Sequence, residues 1–235
     1  MNIPQNKAII GTLGERTLHS ELKKMLAPDE STHEIRVGRY VADIFDGTRI
    51  IEIQTRAFNK LRGKLSYFIN EKNLPVTVVF PVAYTKYLNW VDPLSAEVRS
   101  RRKSPKKGKV YDIFPELYKI TPLLSLPKLS IQIIFADIEE FRLADGWSSD
   151  GKKGSTRIER LPTAFHDELT LTISQPEDYL ALVPFDLPEH FTLKDFAAAS
   201  SLSYNKSSCA LNVLCQVGVC EKIGKIGRSN LYSVK

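Results

Sequence analysis

The sequence predicts an α/β protein with a small, separately organised C-terminal segment. Three observations carry that prediction. Residues 7–27 repeat apolar positions at helical spacing, three strand-like runs between 33 and 54 precede a second helix and a fourth strand, and the pattern changes near Gln175-Pro176 to short helices and a closing hairpin.

In the first helix Leu18, Leu22, Met25 and Leu26 recur at three- and four-residue intervals until Pro28 stops the pattern. The run THEIRVGRYVADIFDGTRIIEIQTR follows, rich in Ile and Val and punctuated by Gly38 and Asp46-Gly47. Asp-Gly between apolar runs predicts a two-residue hairpin turn, because both positions need positive φ. That register pairs Phe45 with Thr48 and sets Asp43 opposite Ile50. A second helix is expected from Ala57 to Lys72 with Leu61, Leu65 and Phe68 on one face, and LPVTVVFPVA gives the fourth strand. Tyr84 to Val98 reads as helix or loop. VYDIFPELYKI is a short amphipathic segment limited by prolines, LSIQIIFADIEEFRL a long strand, GWSSDGKKGSTR a polar excursion, and ELTLTI the close of a first domain spanning 1–175.

Residues 176–235 read as a second domain. PEDYLALVP, FTLKDFAAAS opening at Thr192, and SYNKSSCALNVLCQVG ending at Gly218 predict three helices, and VCEKIGKIGRSNLYSVK predicts two strands around a basic turn. Three helices and a terminal hairpin make a winged helix-turn-helix. In that fold the third helix enters the major groove by its N-terminal residues, here Ser203, Tyr204, Asn205, Lys206, Ser207 and Ser208, and Lys222, Lys225 and Arg228 in the wing reach the backbone. The same fold also serves protein contacts and dimerisation.

No stretch approaches the length of a membrane span and the N-terminus lacks a signal peptide's apolar centre, so an intracellular, cytoplasmic protein with no membrane partner is expected. Cys209, Cys215 and Cys220 fit no zinc spacing and read as free thiols. The formal charge of +6 is modest, but residues 99–109 hold seven Lys or Arg in eleven positions with no acid. Such a run is either a solvated, mobile loop or a polyanion contact, and Arg101, Arg102, Lys103, Lys106 and Lys107 are its candidate DNA-binding residues.

Two carboxylates interrupt runs that otherwise read as buried strands: Asp43 in VADIF and Glu52 in IIEI. Alternation puts Glu52 and Gln54 on the face of Asp43, with Asp43 and Glu52 as diagonal neighbours. They are either an acid pair on a solvent-facing side of the sheet or two oxygen ligands converging on a hard divalent cation. Glu15 falls in the arc of Gly11, Leu18, Leu22 and Leu26, so it points toward the sheet, and the glycines beside it permit close approach.

A GxxGE helix, Asp43 in one strand, Glu52-Ile53-Gln54-Thr55-Arg56 on the next, and then helix and strand together resemble the core of the PD-(D/E)xK nuclease superfamily over residues 8–83, most closely its archaeal Holliday-junction-resolvase-like branch. The resemblance implies an αβββαβ restriction-endonuclease-like core with a mixed sheet, and phosphodiester hydrolysis with Mg²⁺ or Mn²⁺. It places the metal on Asp43, Glu52 and the Ile53 carbonyl, with Glu15 holding a metal-bound water or second ion. Gln54 stands where the family has lysine. An amide positions water but supplies no positive charge, so Arg56, Lys60 or Lys64 is expected to reach the phosphate instead. The implied partner is DNA, and a homodimer is expected where both strands are cut. The alternative is a DNA-binding or regulatory protein that kept the fold and lost the chemistry; a purely structural adaptor sits poorly with the basic clusters.

Overall fold

The computed structural model describes residues 16–145 and 155–235. Its first half runs α1 (Arg16–Leu26), β1 (His33–Val37), β2 (Tyr40–Phe45), β3 (Ile50–Ile53), α2 (Arg62–Ser66), β4 (Val76–Val91) and β5 (Val98–Lys103). The second half runs α3 (Phe114–Leu117), β6 (Leu129–Leu143), β7 (Arg157–Ile173), β8 (His190–Thr192), α4 (Leu193–Ser200), α5 (Tyr204–Gln216), β9 (Cys220–Ile226) and β10 (Ser229–Val234). The fold is mixed α/β. A seven-stranded sheet has the order β1-β2-β3-β4-β6-β7 with β5 also pairing β4, and a separate three-stranded sheet has the order β8-β10-β9. Among the described residues no helix is long and apolar enough to cross a membrane.

The chain forms two compact units, one of residues up to 30, 83–108 and 135–167, the other of 31–82, 109–134 and 168–235. In the second, β1 pairs antiparallel with β2 and β2 with β3, whereas β3 runs parallel to the start of β4. All four side chains of β3 are buried, as expected for a strand covered on both faces and paired on both edges. Gly38 makes the β1–β2 turn at φ +63°, and any Cβ there would collide with the Tyr67 hydroxyl. The two observations fix the position of β2 against the helical segment that follows β3.

That segment is not the continuous helix expected for 57–72. Ala57 takes a left-handed conformation, a 3-10 turn covers Phe58–Leu61, α2 follows, and a π-helical turn covers Tyr67–Glu71. Leu61, Leu65 and Phe68 are buried as their spacing predicts. The interruptions arise from outside: the Phe58 N–H donates to the Glu116 carboxylate at 2.9 Å, and Arg62 Nε donates to the Lys119 carbonyl at 2.5 Å. The second helical segment, around α3, thereby braces the first, and buries Ile113, Phe114, Leu117 and Ile120.

In the C-terminal part the first expected helix is a 3-10 run, Pro176–Leu182. Thr192 and Asp195 form a reciprocal capping box that starts α4 where the sequence places it. Gly218, at φ +85°, follows the end of α5. Cys209, Cys215 and Cys220 are free, and burial pushes the Cys220 thiol up to about 12.

In the other unit the structure corrects two expectations. Tyr84 to Val91 is neither helix nor loop but the second half of β4, and the basic run is not a loop up to Lys103 but strand β5, paired antiparallel to it. Thr85, Lys86 and Asn89 interrupt the apolar pattern of β4, and each has a partner on β6: the Thr85 N–H donates to Asp137, the Lys86 ammonium pairs with Glu140, and the Asn89 amide donates to Glu139. Polar groups satisfied in this way are tolerated inside a sheet.

Candidate functional site

The site is built on the β2–β3 hairpin, whose turn differs from expectation. Only Gly47 has positive φ, and Phe45 pairs with Ile50, so the loop has four residues. The Asp46 carboxylate accepts from the backbone N–H groups of Thr48 and Arg49, the Thr48 hydroxyl and Arg49 Nε. The Thr48 hydroxyl first, helped by the backbone donors, holds Asp46 far below the usual carboxylate range. This bonding closes a longer turn than Asp-Gly alone specifies. Continuing the register from Ile44 opposite Ile51 sets Asp43 directly opposite Glu52 rather than Ile50. A shift of two residues leaves side-chain faces unchanged, so the acids share a face and lie closer than the diagonal arrangement, with directly opposed Cα atoms about 4.5–5.5 Å apart.

Asp43 Oδ2 accepts the Ile53 N–H at 2.8 Å, and Glu52 Oε1 lies 3.4 Å from the Asp43 N–H. Glu52 is only 2% exposed. Its Oε2 accepts from the Lys64 ammonium at 2.5 Å. Lys64, one of the three cations that the sequence offers in place of the missing lysine, is thereby joined to the acid pair. Arg56 and Lys60 are exposed. Gln54 donates its side-chain amide to the Arg56 carbonyl at 2.5 Å, a bond within its own turn, while its backbone N–H continues the ladder to Val79.

Burial, reinforced by the negative charge of Asp43, raises the Glu52 carboxyl from 4.5 to about 7, even though Lys64 pulls it down. Folding therefore takes up a proton between those two pH values. The stability tied to neutral Glu52 is complete below about 4.5 and is lost as pH rises through about 7, with a span of roughly 3 kcal/mol. Glu52→Gln removes that dependence and keeps an acceptor for Lys64. In chelator, its melting temperature is expected to match the wild type at pH 5 and to exceed it at pH 8, which thermal denaturation at the two pH values checks.

In donor type the residues fit a hard divalent cation. Two carboxylates converge, Glu52 buried and Asp43 half-buried, where the charge of Asp43 disfavours that of Glu52. Ile53 turns its N–H toward β2, and a strand residue's carbonyl lies on the same side as its N–H. Among the described residues no group of three or more His, Cys, Asp or Glu is placed to hold a metal ion. Glu15, the third expected acid, lies outside the described residues, as do its neighbouring glycines.

The expected DNA contacts fall in two places. Arg101, Arg102, Lys103, Lys106 and Lys107 are exposed in the unit that contains β5. Arg101 is held there by Glu139 at 2.6 Å and by the Tyr87 ring at 3.7 Å, Arg99 pairs with Asp92, and Lys107 lies 3.8 Å from the Tyr84 ring centroid. In the other unit Tyr204, 61% exposed, and Asn205 open α5 on the solvent side, with Ser208 and Asn212 one and two turns on. Lys206 is drawn instead to Asp112 at 3.5 Å. Lys225 and Arg228 are exposed at the β9–β10 turn.

An uncharacterized protein of Treponema pallidum (strain Nichols) is 30% identical to this chain over 234 residues, covering 95% of the chain and 86% of that protein. No solved structure matches. A family profile described as a domain of unknown function, DUF8091, matches residues 16–172, from α1 into β7, and so includes the acid pair and Lys64. With well over half its length matched, the chain belongs to the DUF8091 family.

Proposed function

We propose that the protein is a metal-dependent deoxyribonuclease of the PD-(D/E)xK type, with Lys64 in place of the lysine that Gln54 replaces. The observation that carries this reading is the directly opposed Asp43 and Glu52 with the Lys64 ammonium 2.5 Å from Glu52. Asp43, Glu52 and the Ile53 carbonyl would hold Mg²⁺ or Mn²⁺, which acidifies a bound water and polarises a phosphoryl oxygen. Asp43 carries the charge while its bond to the Ile53 N–H fixes its orientation. Lys64 orients Glu52 and places a positive charge beside the pair, where negative charge grows on the phosphate oxygens during hydrolysis. Gln54 is too short of charge for that role and is engaged with its own turn.

We read β8, α4, α5 and the β9–β10 hairpin as a winged helix, with Tyr204, Asn205, Ser208 and Asn212 of α5 toward the major groove and Lys225 and Arg228 on the backbone. The exposed cations of β5 add sequence-independent attraction for a polyanion. One observation favours a second, non-catalytic reading: Lys64 already serves as counter-ion to Glu52. Incubating the full chain with supercoiled, linear, branched and single-stranded DNA, with Mg²⁺, Mn²⁺ or chelator, separates the two. The nuclease reading expects cutting that needs a cation. Salt-sensitive binding with no cutting in either cation makes the non-catalytic reading the correct one.

A further inference from the structure

The unit that contains β5 holds a second charged centre that the acid-pair chemistry does not use. Glu140, on β6, is completely buried. Among the described residues, three cations from three strands reach its carboxylate. From β4, Lys86 Nζ lies 3.5 Å from Oε2; from β7, Arg160 Nε lies 3.3 Å from the same oxygen; and from β6 itself, Arg142 contacts Oε1 through Nε at 2.6 Å and Nη2 at 2.5 Å. Arg142 also reaches the hydroxyl of the buried Ser155 through Nη1 at 3.4 Å.

One carboxylate neutralises one cation. Each further cation brought beside it loses hydration and repels the others, an arrangement that a purely structural ion pair does not need. Lys86 registers the cost: burial, with a contribution from Arg160 and Arg142, pulls its ammonium below the ordinary lysine range although Glu140 opposes the shift. The exposure pattern gives the centre a direction. The side chains of Lys86, Arg142 and Arg160 are 25%, 30% and 24% exposed, whereas Glu140 is at 0%. The acid is a floor and the cations are the part that solvent reaches. The register Leu88 opposite Arg102 places Arg102 on the same face of the sheet as Lys86, two residues from Leu88.

We propose that Lys86, Arg142 and Arg160 form a phosphate-binding site, with Glu140 holding the three cations in place beneath it and the Ser155 hydroxyl beside Arg142 as a further hydrogen-bonding group. A doubly charged phosphoryl group matches the surplus left, among the described residues, by three cations on one carboxylate, and guanidinium forks suit its oxygens. The ligand is either free inorganic phosphate or a phosphate of a nucleic-acid strand. The assignment stands whether or not the acid pair cuts DNA.

Calorimetric titration of the full chain with inorganic phosphate, against chloride at equal ionic strength, tests the site. The wild type is expected to bind saturably. Arg160→Gln removes one charge-assisted donor and is expected to weaken binding about tenfold or more. Glu140→Gln raises the local charge and is expected to bind phosphate at least as tightly as the wild type despite a lower melting temperature, which a merely structural network would not produce. Lys86→Met repeats the Arg160 test in case one variant fails to fold. A 5′-phosphorylated duplex and its hydroxyl-ended twin separate the sources: competition of inorganic phosphate with the phosphorylated duplex assigns the site to a strand end, and phosphate binding without competition assigns it to free phosphate. No saturable phosphate binding in the wild type, or equal binding by wild type, Arg160→Gln and Lys86→Met, overturns the proposal.

Discussion

Asp43→Ala is expected to abolish cation-dependent DNA cleavage, a fall of about a thousandfold or more, because the several kcal/mol that a bound cation supplies to phosphodiester hydrolysis would go with its charged ligand. The alanine also removes the acceptor of the Ile53 N–H, so loss of activity alone would not separate chemistry from folding. Asp43→Asn does. It retains an acceptor for that N–H and lacks the charge, so it is expected to melt close to the wild type and still fail to cut. In both variants the Glu52 carboxyl should return toward its ordinary value, since Asp43 contributes to its elevation. Cleavage rates and melting curves for the two variants side by side check this. Cutting by Asp43→Asn at the wild-type rate removes Asp43 from the reaction.

The second large effect belongs to Lys64. Removing a positioned donor of developing negative charge costs about a hundred- to a thousandfold in rate, and Lys64→Ala is expected to fall in that range. It also takes away the ammonium that lowers the Glu52 carboxyl, so the ionisation of Glu52 and the pH dependence of cutting should move to more alkaline pH. Gln54→Ala is expected to lose far less, because that amide serves its own turn. Lys64→Arg retains the charge and should retain part of the rate. The opposite ranking, with Gln54→Ala inactive and Lys64→Ala unaffected, would assign the lysine's role to Gln54.

These residues differ in how far their sequence context reveals them. The shared face of Asp43 and Glu52 is readable from alternation alone, because an error of two residues in a hairpin register preserves faces. The register itself was not readable: it depends on how Asp46 gathers four donors around a four-residue turn, a local competition that the Asp-Gly signal does not encode. Lys64 stands among three candidate cations in sequence, and its contact with Glu52 depends on the direction in which the broken helix leaves β3. That direction is set by Ala57 in a left-handed conformation and by Glu116, 58 residues away from Phe58 in the chain. The second half of β4 was obscured for a related reason. Lys86 and Asn89 look like surface residues until β6 supplies Glu140 and Glu139. Consecutive acids within the apolar strand FADIEEF were the available signal for that pairing, since a buried carboxylate requires compensation. The C-terminal elements were more legible because their starts and stops are local, through Thr192 with Asp195 and through Gly218.

Whether Asp43 and Glu52 form a cation site is decided by following free Mn²⁺ with electron paramagnetic resonance as the full chain is titrated in, at pH 6 and pH 8. Saturable binding is expected to strengthen as pH rises through about 7, where Glu52 gives up its proton, and to be lost in Asp43→Asn and Glu52→Gln. Absence of saturable binding at either pH, or binding of equal strength in those two variants, would contradict it.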